Sequence, residues 1–313
     1  MKKTFLITSI ILAFCCFSCN DELLDSNIVV QDPTNNSGGN NGGGNGNGGG
    51  NSTTTLSAYS LDSTSNVPIF GEITINSDFI ISNNVVLSAN VETVAFGTSV
   101  NGVSTITRDN NGKIVQVETT SGTTVSNRTT ITYSGDNISQ IMYEDLEDAT
   151  ENYTYTFAYS GTTVTRTNAP ADESAVFTFN SNSQLISKES FSGTNSTQLE
   201  TLTYSGGNCI SSTVSGSNPG NNTFSYDAFT NPLQTAFNDQ YLLSIFESEN
   251  NEQVATLIAT LHGTNNWTGI QTNQGNVNFT ITYDANNKIT ARDSSFDLGD
   301  GVVISQSEVF TYQ

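Results

Sequence analysis

His262 is the only histidine in the chain, and Cys209 is the only cysteine after Cys19. An imidazole serves acid–base chemistry and a thiolate serves nucleophilic attack. Nothing near His262, however, resembles a nucleophile elbow or a His-Glu-x-x-His metal spacing. One histidine and one free thiol cannot supply the four ligands of a zinc or redox-metal site, so no metal and no cofactor is expected. His262 closes a helical stretch, where a cation suits the helix dipole, and capping is preferred to catalysis. Cys209 falls on an apolar position of a repeat and has no basic neighbour to lower its pKa, so it reads as a small buried hydrophobe.

Carboxylates are the other candidates, clustered at Glu144, Asp145, Glu147, Asp148 and Glu151, at Glu247, Glu249 and Glu252, and at Asp297 and Asp300. Oxygen-rich loops can bind calcium, but none of these has the alternating Asp/Asn ladder with its glycine and terminal glutamate, so solvated loop acids are the favoured reading. A glycosidase needs two carboxylates roughly 5–10 Å apart in a cleft, which spacing along a chain cannot test. Trp267, the sole tryptophan, lies in a loop-like stretch from Gly263 to Gly269. Exposed, it would stack on a sugar ring and mark a ligand site; packing at the edge of the core is the weightier alternative.

The elements that must position these residues are announced by a recurrent tripeptide of large apolar, small and aromatic residues. It occurs at Ile131-Thr132-Tyr133, Phe157-Ala158-Tyr159, Phe177-Thr178-Phe179, Leu202-Thr203-Tyr204, Phe224-Ser225-Tyr226, Ile281-Thr282-Tyr283 and Phe310-Thr311-Tyr312, with a degenerate copy at Ile106-Thr107-Arg108. Period-two alternation makes each a β-strand. Tyr153, Tyr155, Phe157 and Tyr159 put four aromatics on one strand face. Turn clusters follow, such as Ser134-Gly135-Asp136-Asn137 before Ile138 and Ser205-Gly206-Gly207-Asn208 before Cys209, with Gly and Asn supplying positive-φ positions. Counting two strands per hairpin unit predicts about fourteen to sixteen strands.

This pattern resembles the YD-like repeats of bacterial cell-surface proteins, in which a Tyr-Asp pair precedes a Gly/Asn turn. Tyr226-Asp227 and Tyr283-Asp284 keep the pair, and Asp109-Asn110-Asn111-Gly112-Lys113-Ile114 keeps the turn alone. The resemblance covers roughly residues 103–313 and is nearest to lipid-anchored Bacteroidota members of unknown function; the chain departs from the large toxin-associated shells, which carry many more copies and a C-terminal cargo. The predicted fold class is all-β: a long antiparallel meander of hairpin repeats curled into a barrel-like or half-open shell, because a twisted sheet of this size curls. Residues 56–102 are expected to supply its first strands.

Between Tyr226 and Tyr283 the repeat is interrupted. Asn231-Pro232-Leu233 breaks a strand, and Tyr241, Leu242 and Ile245, then Val254, Leu257, Ile258 and Leu261, have helical spacing. One or two short amphipathic helices, at about 233–262, are expected to lie across the open end or concave side of the sheet and to cover an exposed edge. A membrane-spanning barrel is the competing architecture, since alternating faces fit lipid outside as well as core inside.

The N-terminus has Lys2 and Lys3, an apolar run from Phe5 to Phe17, and Ser18-Cys19. The run falls short of the roughly 20 residues of a transmembrane helix and looks like a secretory signal over residues 1–18. Ser18-Cys19 resembles a lipobox, implying cleavage before Cys19 and acylation of its thiol, the chain's link to a membrane. Asn20 follows, where the inner-membrane retention signal of enteric lipoproteins would have Asp, and this favours the outer membrane. Asp21 and Glu22 resemble the acidic export signal of surface lipoproteins, implying display on the cell surface; two acids without meaning in a solvated tether would leave the protein on the periplasmic leaflet. Residues 19–55, almost wholly Asn, Gly, Ser and Thr from Asn35 onward, read as a flexible tether before a domain at 56–313.

Without Lys2 and Lys3, seven basic residues face 30 acidic ones, a net charge of −23, which repels nucleic acid. With a single cysteine left after lipidation, no intrachain disulfide forms and stability rests on core burial. The sequence therefore points to a lipid-anchored envelope protein with a structural or binding role and no catalysis. A glycan-binding accessory protein or adhesin, with an extracellular glycan or protein as partner, is one alternative; a carboxylate-dependent glycan hydrolase is another.

Overall fold

The computed structural model describes residues 55–67, 71–273, 275–297 and 301–313. Cys19, Asp21 and Glu22, with the signal and all but the end of the tether, lie outside the described residues. Four strands come first: β1 (Leu56–Val67), β2 (Gly71–Ser82), β3 (Val85–Ala95) and β4 (Thr98–Arg108). The hairpin repeats follow as β5 (Ile114–Ser121), β6 (Thr124–Ser134), β7 (Asn137–Asp145), β8 (Tyr153–Ser160), β9 (Thr163–Asn168), β10 (Glu173–Phe179), β11 (Leu185–Ser192), β12 (Asn195–Ser205), β13 (Asn208–Gly216) and β14 (Gly220–Thr230). After a helical insertion come β15 (Asn265–Thr272), β16 (Gly275–Asn278), β17 (Thr280–Tyr283), β18 (Ile289–Asp297) and β19 (Val303–Tyr312).

Consecutive strands pair antiparallel, and β19 returns to pair with β1 from Leu56↔Tyr312 to Asn66↔Val303. β16 and β17 are halves of one strand broken at Phe279: the first half pairs with β15, the second with β18. The meander is therefore an all-β barrel whose ladder runs full circle. Among the described residues its nineteen strands exceed the expected number because the first three carry alternation without the tripeptide and one strand is broken into β16 and β17.

The motif has a mechanical explanation. The phenols of Tyr133, Tyr159, Tyr226 and Tyr312 each donate to the backbone carbonyl of the first or second residue of the preceding strand, namely Ile114, Ile138, Cys209 and Ile289, at 2.6–2.9 Å. Those four acceptor residues are buried. The large residue of the tripeptide fills the lumen, the small one faces out, and the tyrosine locks the strand end to the previous hairpin. The Asp of the motif shapes the turn: Asp284 Oδ1 accepts the N–H groups of Asn286 and Lys288, and Asp109 does the same for Asn111 and Lys113. These turns share one rim of the barrel. Thr55 exchanges backbone hydrogen bonds with Gln313, so the chain enters the barrel at this repeat rim.

Outward residues are short and polar. Thr201 and Thr203 on β12, Thr213 and Ser215 on β13, Thr223 and Ser225 on β14, and Ser305, Ser307 and Thr311 on β19 all face water, while Leu202, Val214, Phe224, Ile304 and Phe310 point in. A lipid-embedded barrel needs an apolar outer band about 25 Å tall. Exposed Ile80, Leu87, Val103 and Val309 are scattered among polar neighbours and do not build one.

The helical insertion lies on the concave side of the sheet, one of its expected positions, and covers no open edge because β19 closes on β1. It comprises α1 (Pro232–Ala236), α2 (Tyr241–Phe246) and α3 (Ala255–Leu257), whose last turn widens into a π turn at Ile258–His262. It descends from the repeat rim between β14 and β15 into the lumen and does not lie across an edge. Phe237 packs on Tyr59 of β1 and Phe79 of β2, whereas Phe246 packs on Phe157 of β8 and Phe177 of β10, so the segment touches opposite arcs of the wall. Leu233, Leu243, Ile245, Phe246, Ala255 and Ala259 are fully buried, each larger side chain contributing about 1.5–3 kcal/mol.

Candidate functional site

Two arrangements concentrate chemistry-bearing groups: a set of buried charges that holds the plug, and a cleft beside the plug at the repeat rim.

The charges point inward from the wall. Arg166 on β9 donates to the carbonyls of Phe246 and Ser248 and lies 4.3 Å from the ring centroid of Tyr155. Lys188 on β11 donates to Ser248 Oγ at 2.8 Å and to the carbonyls of Glu249 and Glu252 at 2.5 and 2.7 Å. Glu200 on β12 accepts the N–H groups of Val254 and Ala255 at 2.8 and 3.2 Å, capping the start of α3. The irregular main chain from Phe246 to Val254 is thereby given partners that water would otherwise supply. Burial, together with the charge of Arg166, holds the Lys188 ammonium below its ordinary pKa, and burial raises Glu200. On the plug itself, Glu247 accepts the Tyr153 hydroxyl at 2.9 Å, and burial pushes its carboxyl up to about 8. A second buried group joins Arg292 to Glu308 through two 2.6 Å hydrogen bonds; Tyr59 donates to the same carboxylate at 2.7 Å.

Sequence reasoning missed Arg166, Lys188, Glu200, Arg292 and Glu308, and it took Glu247 for a solvated loop acid. Parity would have found two of them: Glu200 lies two residues before Leu202 and Glu308 two before Phe310, on the inward face.

The structure bears on three further expectations. Trp267 is on β15, not in a loop, and is 3% exposed; its indole donates to Gly269 O at 2.8 Å, and Phe224 and Phe279 pack edge-on against it. It offers no face to a sugar ring. His262 does end the helix, but burial pushes its pKa down to about 3, so it sits there as a neutral ring against Tyr241 and not as a capping cation. The acids near residue 145 serve their own loop: Asp145 Oδ1 accepts the N–H groups of Glu147 and Asp148, and Asp148 Oδ1 that of Thr150. Cys209 is buried, and burial raises its thiol. Among the described residues, no three His, Cys, Asp or Glu side chains converge on a metal position.

The cleft has a volume of 630 Å³, within the range of small-ligand sites. One wall is the β10–β11 hairpin, with Asn182 and Gln184; another is the end of β12, with Tyr204; the plug contributes Gln234, Asn238, Tyr241 and His262. Gly207 has to be a glycine here: at φ +86° a Cβ would come within 2.2 Å of Thr264 Oγ1. Tyr241 Oη accepts the Leu185 N–H at 2.8 Å and fixes its own ring in the cleft. No Asp, Glu, Lys or Arg lines the space.

No family model matches the chain, and no curated protein does. Among solved structures, a porin-like protein from Bacteroides uniformis ATCC 8492 is similar at a TM-score of 0.47 and 13% identity, over 83% of this chain and 99% of that one. A porin-like protein from Bacteroides vulgatus ATCC 8482 has a TM-score of 0.28 and 9% identity over the same shares. The TcdB2-TccC3-TEV structure has a TM-score of 0.28 and 12% identity, over 78% of this chain and 17% of that one.

Proposed function

We propose that the protein is a lipid-anchored cell-envelope protein, displayed on water by its tether, with a non-catalytic structural or binding role. The observation that carries this reading is a barrel that is polar outside and filled inside. A polar outer wall supports attachment to a membrane through another part of the chain, and a filled lumen supports a role other than conduction. The Ser18-Cys19 pair and the Asn/Gly-rich segment supply that attachment, and the chain enters the barrel at the end of that segment. The strongly perturbed carboxylates Glu200 and Glu247 are bonded to plug main chain and to Tyr153, and they do not line the cleft. This arrangement favours binding over acid–base hydrolysis.

Feeding cells labelled palmitate tests the anchor: wild type is expected to take up label and Cys19→Ala to take up none. Protease shaving of intact cells tests the display face. Release from wild type but not from the Asp21→Ala, Glu22→Ala double variant supports the surface; release from neither variant places the domain in the periplasm.

A further inference from the structure

We infer that the 630 Å³ cleft at the repeat rim binds a neutral saccharide. This deepens the binding role proposed above and rests on it.

The argument is one of chemical matching. A chain of net charge −21 with 30 acidic residues repels anions at long range. A cation would be drawn toward the surface, yet the cleft holds no carboxylate to receive it. What lines the space is neutral. Asn182, Gln184, Gln234 and Asn238 bring amides that both donate and accept, as sugar hydroxyls do. Tyr204 and Tyr241 add phenols whose rings suit the C–H faces of a pyranose. Tyr204 Oη is buried and paired with the Tyr241 hydroxyl, which holds the two phenols together in the floor of the cleft. His262, kept neutral by burial and set edge-on to Tyr241 at 5.0 Å, extends the aromatic surface without adding charge.

The walls are also preorganised. The β10–β11 turn is tied by Asn180, whose Oδ1 accepts the N–H groups of Asn182 and Gln184. The opposite wall is the plug, where Tyr241 Oη accepts the Leu185 N–H and Gln234 donates to the His262 carbonyl. Little ordering is left for a ligand to impose, which suits the weak individual contacts of a saccharide.

The test is calorimetric titration of the purified chain with maltohexaose, xylohexaose and chitohexaose, and with oligogalacturonate and an uncharged Gly/Asn hexapeptide for contrast. At least one neutral hexasaccharide is expected to bind. Asn238→Trp, which fills the cleft from an exposed position, should weaken that binding by about tenfold or more at an unchanged unfolding temperature. Asn182→Trp fills it from the opposite wall and serves if the first variant does not fold. Absence of binding by all three neutral sugars at about 10 mM would overturn the inference, as would equal binding by the filled variants or preference for the anionic sugar or the peptide. Palmitate labelling is independent of these titrations, so the anchor and the saccharide site can fail separately.

Discussion

Single residues explain both the repeat and its cost. Each tyrosine lock is one neutral hydrogen bond to a carbonyl, so Tyr159→Phe is expected to lower stability by about 1 kcal/mol, read by urea unfolding. The Arg292–Glu308 pair is different, because it is buried on both sides. Arg292→Met leaves the buried Glu308 carboxylate without its counter-ion, with the Tyr59 hydroxyl still donating to it, and is expected to cost about 3–5 kcal/mol. Adding Glu308→Gln should recover much of that loss; a double variant no better than the single would show that packing, not charge, dominates. Glu247 gives a pH signature. Its folded pKa, about 8, stands above the ordinary 4.5, so its contribution is complete below pH 4.5 and is lost as pH rises through 8. Glu247→Gln should flatten the decline in unfolding temperature between those values, and a variant with the wild-type slope would remove Glu247 as its source.

At the scale of elements, the plug and the wall form one folding unit. The plug segment from Glu247 to Val254 has its polar backbone satisfied by side chains of β9, β11 and β12, so neither part is complete alone. Asn231 hinges the entry: its Nδ2 donates to the carbonyls of Thr260 and Gly263 and its Oδ1 caps Leu233 N–H. Asn231→Ala is expected to cost about 1–2 kcal/mol and to open the repeat rim to hydrogen exchange before the far rim. The hairpins were legible in the sequence because period-two alternation and a fixed Tyr lock repeat themselves. The helices were legible as apolar stripes at 241–245 and 254–261. That they would cover no edge was not, since an apolar stripe cannot tell a half-open shell from a closed barrel. The cleft was less legible still: Asn182, Tyr204 and Asn238 come from three separate elements, and only the packing of the plug against β10–β12 brings them together.

For the whole molecule, closure settles what alternation alone leaves open. A sheet with one apolar face can turn that face to lipid or to a core, and Trp267, Phe296 and Phe310 all turn inward, toward the plug. The outer wall of Thr and Ser, with the net charge of −21, presents a polar face to the surroundings. The most direct measurement is to express residues 20–313 behind a secretory signal that is cleaved without lipidation, and to fractionate the cells without detergent. A polar, plugged barrel predicts a folded chain in the aqueous fraction. A chain that stays with the membrane and comes off only in detergent would mean that the outer wall contacts lipid, and would contradict the account.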